Sequence, residues 1–369
     1  MIFKIVPRSD SAAGTDSIDA VARHHLRSVI VLSALGFVLV LIAILSIASG
    51  ALEVSPGQVV SIFGDLAGLQ FSPFAERQAA VVLAIRVPRV LLDILVGAGL
   101  AVSGAALQGL FRNPLADPGL IGVSSGAALA AVFVIVLGAT VPPSVTELLG
   151  MFMLPLAAFG GGFAATVVVY RFSAGARGVS VATMLLAGIA INAFAGSLTG
   201  LLIFTATDAQ LRSITFWSMG STGGATWRSI GSVAILIILP VFLILRTSRA
   251  LNVLLLGESE AGHLGFPIER LKRRIVACAA MSVGAAVSVS GIIGFVGLVC
   301  PHLLRLAFGP DHRLLLPGSA LLGAILLMTA DLFARTIVTP AELPIGIVTA
   351  LLGAPFFLYL LIRQRQVQL

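Results

Sequence analysis

The sequence predicts an all-α polytopic membrane protein with about ten transmembrane helices. Of its 369 residues, 58% are hydrophobic and 11% are charged, and the mean hydropathy is +1.08. A soluble domain carries about 25% charged residues, so this chain could not cover its own surface with polar groups. A spanning helix needs about 20 apolar residues, and a chain of this length accommodates ten of them with short connections.

Ten apolar runs follow one another along the chain, and the split between the seventh and eighth rests only on Ser290-Gly291. The first run lies behind a polar leader longer than that of a cleaved signal peptide, which favours a retained helix. We therefore expect a leader at 1–28, one transmembrane domain at 29–362 and a tail at 363–369. The runs are Val29–Ala48, Val90–Leu110, Gly119–Leu137, Gly150–Tyr170, Val181–Phe204, Ile230–Leu245, Ile275–Ser290, Ile292–Phe308, Leu314–Ile337 and Pro344–Ile362.

The basic residues predict the orientation. When the runs alternate across the membrane, 17 of the 23 lysine and arginine residues fall on the side that holds the N-terminus, and six fall on the other side. Positive charge is enriched in cytoplasmic segments of membrane proteins. We therefore expect both termini in the cytoplasm.

The net charge of +7 does not indicate a nucleic-acid partner, because the basic residues are spread between hydrophobic runs and form no single patch. The chain has two lysines, Lys4 and Lys272, and neither lies in a phosphate-binding G-x-x-x-x-G-K-[ST] motif. Any ATP-driven work must therefore come from another subunit, which would carry the ATP and magnesium.

The sequence gives little evidence for a catalytic site or a metal-binding site. Cys278 and Cys300 lie in apolar runs and are interpreted as core thiols. All five histidines fall in or beside the predicted cytoplasmic segments, and no nucleophile–base pair or metal-ligand cluster is apparent. We expect no catalytic residue, no metal site and no permanently bound cofactor.

Six arginines lie on the side where positive charge is disfavoured. Arg86 and Arg89 flank Pro88 at the start of the second run, and Arg335 lies at the end of the ninth. Planar guanidinium groups suit bidentate pairing with carboxylates, which predicts an acidic external partner. The alternative is that these side chains snorkel to lipid phosphates.

The segment 251–266 is apolar up to Leu256, then acidic and bounded by glycines. It is too short to span a membrane. A short amphipathic helix along the membrane face fits the pattern, and such a helix could dock into a groove on a partner. An interfacial helix without a partner is the alternative.

Two acids lie within the apolar runs. Asp93 is close to Arg89, and Asp331 is close to Arg335 and to Glu342. Intramembrane acids often mark proton pathways. Because each has an arginine four residues away, we interpret them as structural ion pairs, Asp93 with Arg89 and Asp331 with Arg335.

Several motifs resemble the FecCD family of ABC-importer permeases, which imports ferric siderophores, haem and cobalamin. The resemblance runs in the family's order from about residue 30 to residue 362. The motifs are Arg86-x-Pro-Arg89, Val96–Gly104, Gln108, Arg112–Pro118, Leu256-Gly-Glu-x-x-Ala-x-x-Leu-Gly265, Gly294–His302 with Arg305, Asp311-His-Arg313, Ala330–Arg335, Glu342–Gly346 and Leu352–Phe356.

The resemblance implies a homodimer in the bacterial inner membrane, with two ATPase subunits below it and one periplasmic binding protein above it. By position, Arg86, Arg89 and Arg335 would dock the binding protein. The coupling segment 251–266 would contact the ATPase through Leu256, Gly257, Glu258, Ala261, Leu264 and Gly265. Asn113, Leu115, Val181 and Ala182 would form the cytoplasmic gate. Val181 and Ala182 replace hydroxyl residues of the cobalamin importer, which weakens a cobalamin assignment.

The stretch from Gln210 to Trp227 most resembles the haem permeases of the family. Arg212 could pair with haem propionates, and Phe216, Trp217 and Met219 could contact the macrocycle. We therefore expect haem as substrate, ahead of a siderophore or cobalamin; a helix that only packs is the alternative for this stretch. A proton-coupled carrier and a membrane enzyme are the rival classes.

Overall fold

The computed structural model describes residues 12–50, 52–66, 68–69, 73–175, 178–338 and 341–367. Within these residues, eight helices are long and apolar enough to cross a membrane, and two shorter apolar helices span Val296–Phe308 and Ile345–Tyr359. Each of the ten predicted runs overlaps one of these helices, and none extends more than four residues beyond its helix. The all-α polytopic architecture is confirmed.

The first half of the chain forms α1 (Ala12–Ala48), α2 (Pro56–Leu66), α3 (Glu76–Val81), α4 (Val87–Phe111), α5 (Val123–Leu137), α6 (Pro143–Leu149), α7 (Met153–Ser173) and α8 (Val181–Phe204). The second half forms α9 (Asp208–Met219), α10 (Trp227–Leu245), α11 (Ser248–Leu254), α12 (Glu258–His263), α13 (Ile268–Ser290), α14 (Val296–Phe308), α15 (His312–Thr336) and α16 (Ile345–Val367). Two short strands, β1 (Ala174–Gly175) and β2 (Gly178–Val179), pair antiparallel between α7 and α8.

The helix boundaries refine three expectations. Helix α1 begins at Ala12, inside the predicted leader, whose residues 1–11 lie outside the described part of the chain. The second span begins at Glu76, because α3 continues into α4 through one π-helical turn, Val82–Arg86. The split at Ser290-Gly291 is confirmed: α13 ends at Ser290, and Gly291 has a φ of 68° that a helix cannot continue through.

Three helices form the centre of the bundle. In the most apolar 18-residue stretch of the second span, 78% of the residues are buried. The corresponding shares are 72% in α13 and 61% in α15, compared with 11% in α1. The central helices are rich in small residues, which allow helices to approach closely where no hydrophobic effect drives them together in lipid. Peripheral helices expose their apolar side chains instead, as expected for surfaces that face lipid.

Paired glycines set the closest helix contacts. A side chain on Gly97 of α4 would collide with the carbonyl of Gly323 on α15, and one on Gly323 would collide with the carbonyl of Gly97. Gly126 of α5 and Gly161 of α7 make the same reciprocal contact. Since a β-carbon at any of these positions would push two helices apart, glycine is required there by packing.

The bundle has two ends that carry the polar residues of interest. We call one the arginine end, where Arg86, Arg89 and Arg335 lie, and the other the lysine end, where Lys272 lies. Helix α13 runs from Lys272 near its start to Ser290, whose carbonyl accepts a hydrogen bond from Ser221 beside the arginine cluster. At 1.5 Å per residue, its 23 residues span about 35 Å.

Candidate functional site

Arg89 is the centre of the arginine end. Its guanidinium donates to both oxygens of Asp331, with the shortest contact at 2.7 Å, and to both oxygens of Glu342 at 2.9 Å. The side chain of Asp331 is 0% exposed, whereas that of Glu342 is 46% exposed. One planar cation therefore joins α4 to α15 and to the segment that leads into α16.

The pairing within this cluster differs from the predicted one. Asp331 does contact Arg335, at 3.5 Å, as predicted. Arg89, however, pairs with Asp331 and Glu342, and Asp93 forms no salt bridge within the described residues, although it is completely buried. The prediction for Asp93 was wrong because it considered only the spacing along one helix. Asp331 on α15 and Glu342 in the segment after it lie closer to the guanidinium group of Arg89.

The other two predicted docking arginines bind main-chain carbonyls. Arg86 is 5% exposed; its Nη1 donates to the carbonyls of Ile47 and Ala48 at 2.7 and 2.8 Å, and its Nη2 donates to that of Leu52. Nη1 of Arg335 donates to the carbonyl of Ser49 at 3.0 Å. These bonds satisfy the open carbonyls at the C-terminus of α1 and in the loop that follows it.

The coupling segment consists of two short helices rather than one. Helix α11 ends at Leu254 and α12 begins at Glu258, with Gly257 between them at a φ of 129° that only glycine adopts readily. Leu256 and Leu264 are 67% and 61% exposed, while Ala261 is completely buried. Gly265, which follows Leu264, also has a positive φ of 83° and ends the turn. The segment thus presents two leucines outward.

Helix α11 is fixed to α15 through Asn252. Its Nδ2 donates to Asp311 Oδ1 at 2.5 Å, and its Oδ1 accepts from the backbone of His312 at 2.8 Å and lies 2.9 Å from His312 Nδ1. The His312 ring in turn fills the space over Gly109 near the end of α4. The coupling segment is therefore anchored on the central helices at the lysine end.

The predicted gate residues lie in turns and at a helix start at the lysine end of the bundle. Asn113 caps the turn after α4, where its side chain accepts from the backbone of Leu115 at 2.9 Å. Val181 and Ala182 are the first residues of α8, directly after the β1–β2 hairpin. The structure thus places the gate candidates at the chain segments that flank the ends of α4 and α7. Their role as a gate stays a prediction.

A polar cluster around Lys272 was missed from the sequence. Its Nζ donates to Glu258 Oε2 at 2.7 Å, to the carbonyl of Val179 at 2.8 Å and to Glu269 Oε1 at 3.2 Å. The signal that could have revealed it is compositional, because Lys272 is one of only two lysines in a chain with 21 arginines. A single lysine among arginines at the end of a predicted span indicates a position where an ammonium group with specific acceptors is needed.

Helix α9 carries the four substrate candidates. Arg212 is exposed, Phe216 is 65% exposed and Met219 is 37% exposed, whereas Trp217 is half-buried against the core. A cleft of about 490 Å³ opens at the end of this helix. Of the four candidates only Met219 lines it, together with Ser218, Ile292, Gly294, Gly346, Ile347, Ala350 and Leu351.

The comparisons with known proteins all match this chain to membrane transport proteins. The profile of the FecCD transport family matches residues 38–363. The hemin transport system permease protein HmuU of Yersinia pestis is 47% identical over 335 residues, which cover 90% of this chain and 96% of that protein. The vitamin B12 import system permease protein BtuC of Escherichia coli is 41% identical over 345 residues, covering 93% and 97%.

A solved structure described as an inward-facing conformation of a metal-chelate type ABC transporter has a TM-score of 0.78 to this chain. It is 33% identical, and the match covers 90% of this chain and 99% of that one. The similarity thus extends over nearly the whole fold.

Proposed function

We propose that this chain, which belongs to the FecCD transport family, is the permease through which an ATP-driven importer carries haem across the bacterial inner membrane. The observation that carries the proposal is the similarity to a hemin permease over 90% of the chain, at 47% identity. The identity to the vitamin B12 permease is lower, at 41% over a similar length.

Helix α9 supports haem as the substrate. Haem is a flat apolar macrocycle with two carboxylate groups. The exposed guanidinium of Arg212 can pair with a carboxylate, and the exposed ring of Phe216 and the soft thioether of Met219 suit contact with an aromatic surface. These side chains lie on one short helix, and Met219 at its end lines an open, mainly apolar cleft.

A second copy of the chain completes the path in this proposal. The core between α4, α13 and α15 is close-packed, and α4 and α15 meet at the paired Gly97 and Gly323, so these helices offer no path for a molecule as large as haem within one protomer. The cleft beside α9 and α16 lies at the surface, where Leu351 and Leu352 are 69% and 56% exposed. A homodimer with the cleft facing its axis would give haem a path lined on both sides.

An ATPase subunit would dock at the lysine end. The chain itself has no phosphate-binding loop, and the exposed Leu256 and Leu264 offer apolar anchors on either side of a buried alanine. A few such anchors in the centre of a contact usually carry most of its binding energy. The clustering of basic residues in the segments at this end supports a cytoplasmic location for it.

A binding protein would deliver haem at the opposite, arginine end. Acidic residues on it would have to compete with acceptors that Arg86, Arg89 and Arg335 already hold. Arg89 offers the easiest exchange, since Glu342 is half-exposed and can turn into water while Asp331 keeps its own bond. Docking at these arginines therefore remains part of the proposal.

The direct test is growth of a deletion strain on single iron sources. Deletion of the gene should abolish growth on haem and leave growth on ferric siderophores intact, and the wild-type gene should restore it. Growth on haem with failure on a siderophore, or a cobalamin requirement, would transfer the assignment to that substrate and leave the permease role in place. Uptake that persists without ATP but needs a proton gradient would support a secondary carrier instead.

Arg212 gives the proposal a residue-level test. Arg212→Ala should lower the uptake of iron-labelled haem by roughly 2- to 5-fold, the range expected for one solvent-exposed ion pair. Arg228→Ala is the matched control, because Arg228 is an exposed arginine near the start of α10 and has no assigned role. Equal uptake by both variants, at wild-type protein levels, would remove Arg212 from haem recognition.

A further inference from the structure

Lys272 is a buried cation with acceptors in three different elements. Its side chain is 3% exposed. An ammonium group has three hydrogens to donate, and here Glu258 of α12, Glu269 of α13 and the carbonyl of Val179 in β2 each lie within hydrogen-bond distance. The side chain thus joins the coupling segment, a central helix and the hairpin before α8.

The hairpin is held from both sides at Val179. Its carbonyl accepts from Lys272, and its amide donates to Glu269 Oε2 at 2.9 Å. The preceding Gly178 lies so close to Glu269 that a β-carbon there would come within 2.6 Å of the carboxylate. The carbonyl and the amide of Val179 are therefore both held, the first by Lys272 and the second by Glu269.

Val179 lies directly before the first turn of α8. Ser180 caps that helix by accepting from the backbone of Thr183, and Val181 and Ala182 form its first turn. Ser180 is the one residue between Val179 and α8, and it is held to that helix by the bonds from the backbone amides of Thr183 and Met184. A movement of the hairpin at Val179 therefore reaches the start of α8.

The acids of the cluster lie closer to solvent than the lysine. Glu258 and Glu269 have side chains that are 43% and 51% exposed. Glu258 is the first residue of α12, between the exposed Leu256 and Leu264 that would contact an ATPase. A partner that shifts α12 thus acts on one side of the lysine, while the hairpin is attached to the other side.

We propose that Lys272 is a positioning residue that couples the displacement of α12 to the start of α8, so that ATPase movement reaches Val181 and Ala182. The proposal rests on the proposed function, since it assumes that an ATPase docks on the coupling segment. In this proposal, the buried ammonium group of Lys272 connects the surface that would bind the ATPase to the predicted gate.

Lys272→Met tests the proposal, because it removes the charge and keeps the length of the side chain. The permease, its ATPase and its binding protein are reconstituted in liposomes, and ATP hydrolysis and haem transport are measured in the same sample. We expect assembly and hydrolysis close to wild type, and a fall of roughly 2- to 30-fold in haem transported per ATP, the range for residues that carry coupling. Lys272→Arg should recover part of the ratio.

Arg273→Met is the matched control, because Arg273 is the exposed neighbour of Lys272 and loses the same charge. Its ratio of transport to hydrolysis should equal that of wild type. Glu258→Gln also disturbs the cluster, since a change at a half-exposed acid leaves the buried lysine its other two acceptors. Because Glu258 is itself a predicted ATPase contact, this variant is measured at saturating ATPase and only its transport per ATP hydrolysed is compared. Its ratio should fall, and the Lys272→Met/Glu258→Gln double variant should fall no further than Lys272→Met alone.

Three outcomes would overturn the proposal. The first is a wild-type ratio of haem transport to ATP hydrolysis in both Lys272→Met and Glu258→Gln. The second is a parallel loss of hydrolysis and transport, which would show that the cluster only stabilises the protein. The third is an equal fall of the ratio in Arg273→Met. A wild-type complex that transports cobalamin instead of haem would overturn the haem assignment alone, and the ratio is then measured with cobalamin. A permease that binds no ATPase would overturn both proposals.

Discussion

The two ends of the bundle solve the problem of buried charge in opposite ways. At the arginine end, the fully buried Asp331 lies between Arg89 and Arg335. At the lysine end, the cation is buried and its acids, Glu258 and Glu269, are half-exposed. An acid that can turn into water is not left buried without a partner when its ion pair opens, whereas a buried acid is. Lys272 keeps two other acceptors when one of its acids leaves. The comparison indicates a rigid arginine end and a lysine end that is able to rearrange.

The largest expected effect lies at the arginine end. Arg89→Met leaves the buried carboxylate of Asp331 with a 3.5 Å contact to Arg335 and a 3.4 Å hydrogen bond from the Thr222 hydroxyl. It should lower the free energy of unfolding by about 3 kcal/mol or more. Because Cys278 and Cys300 are both buried, the labelling of thiols by a fluorescent reagent during heating in detergent measures this loss. Arg77→Met, at an exposed arginine of α3, should stay within about 0.5 kcal/mol of wild type.

The outcome also separates two roles of Arg89. A variant as stable as the Arg77 control that binds its binding protein weakly would show that Arg89 serves docking alone. The comparison between a rigid and a mobile end would then lose its basis at the arginine end. A large loss of stability would instead support the structural role that its contacts indicate.

An intermediate effect is expected at Glu269. Its two oxygens accept from Lys272 and from the Val179 amide, and Glu269→Gln would place an NH₂ group against one of these donors. We expect a loss of about 1 to 2 kcal/mol, as for one hydrogen bond to a charged group, measured by the same thiol labelling. Glu147→Gln, at an exposed acid of α6, is the control. A loss as large as that of Arg89→Met would show that both ends are equally rigid.

The smallest effect is expected at Glu342, and it depends on pH. The hydrogen bonds from Arg89 lower the pKa of Glu342 from its ordinary value of 4.5. Its contribution to stability is therefore present above pH 4.5 and is lost as the pH falls through the lowered pKa. Glu342→Gln should cost less than about 1 kcal/mol at neutral pH, because the acid is half-exposed.

The measurement is the difference in thermal midpoint between wild type and Glu342→Gln from pH 7 down to the acid limit of the protein. This difference should shrink as Glu342 of the wild type becomes protonated. A difference that stays constant over the whole range would mean that the carboxylate charge contributes nothing. Arg89 would then be held at the arginine end by Asp331 alone.

The helices could be predicted from the sequence because a membrane imposes one strong rule. A helix that crosses lipid satisfies its own backbone and presents a long apolar surface. Each of the ten predicted runs overlaps one of eight long and two shorter apolar helices, with the break at Ser290-Gly291. Their ends were less predictable. The π-helical turn before α4 and the break at Gly257 depend on local backbone conformation, and neither leaves a hydrophobic pattern.

The contacts of the charged residues could be predicted only where both partners lie on one helix. Asp331 and Arg335 are four residues apart and do meet, since such residues share a helix face. Arg89 is more than 240 residues from Asp331, and nothing in either local sequence encodes that approach. The same limit applies to Lys272 and Val179, which are 93 residues apart.

The sequence by itself determined the class of protein, the order of its apolar helices and the family, because composition, apolar run length and ordered motifs are properties of the chain alone. The tertiary structure decided which acceptors each buried cation holds, carboxylates or main-chain carbonyls, and which segments it connects. The physical reason is desolvation: a charge withdrawn from water must be paired, and its partner is whichever group the packed helices bring within about 3 Å.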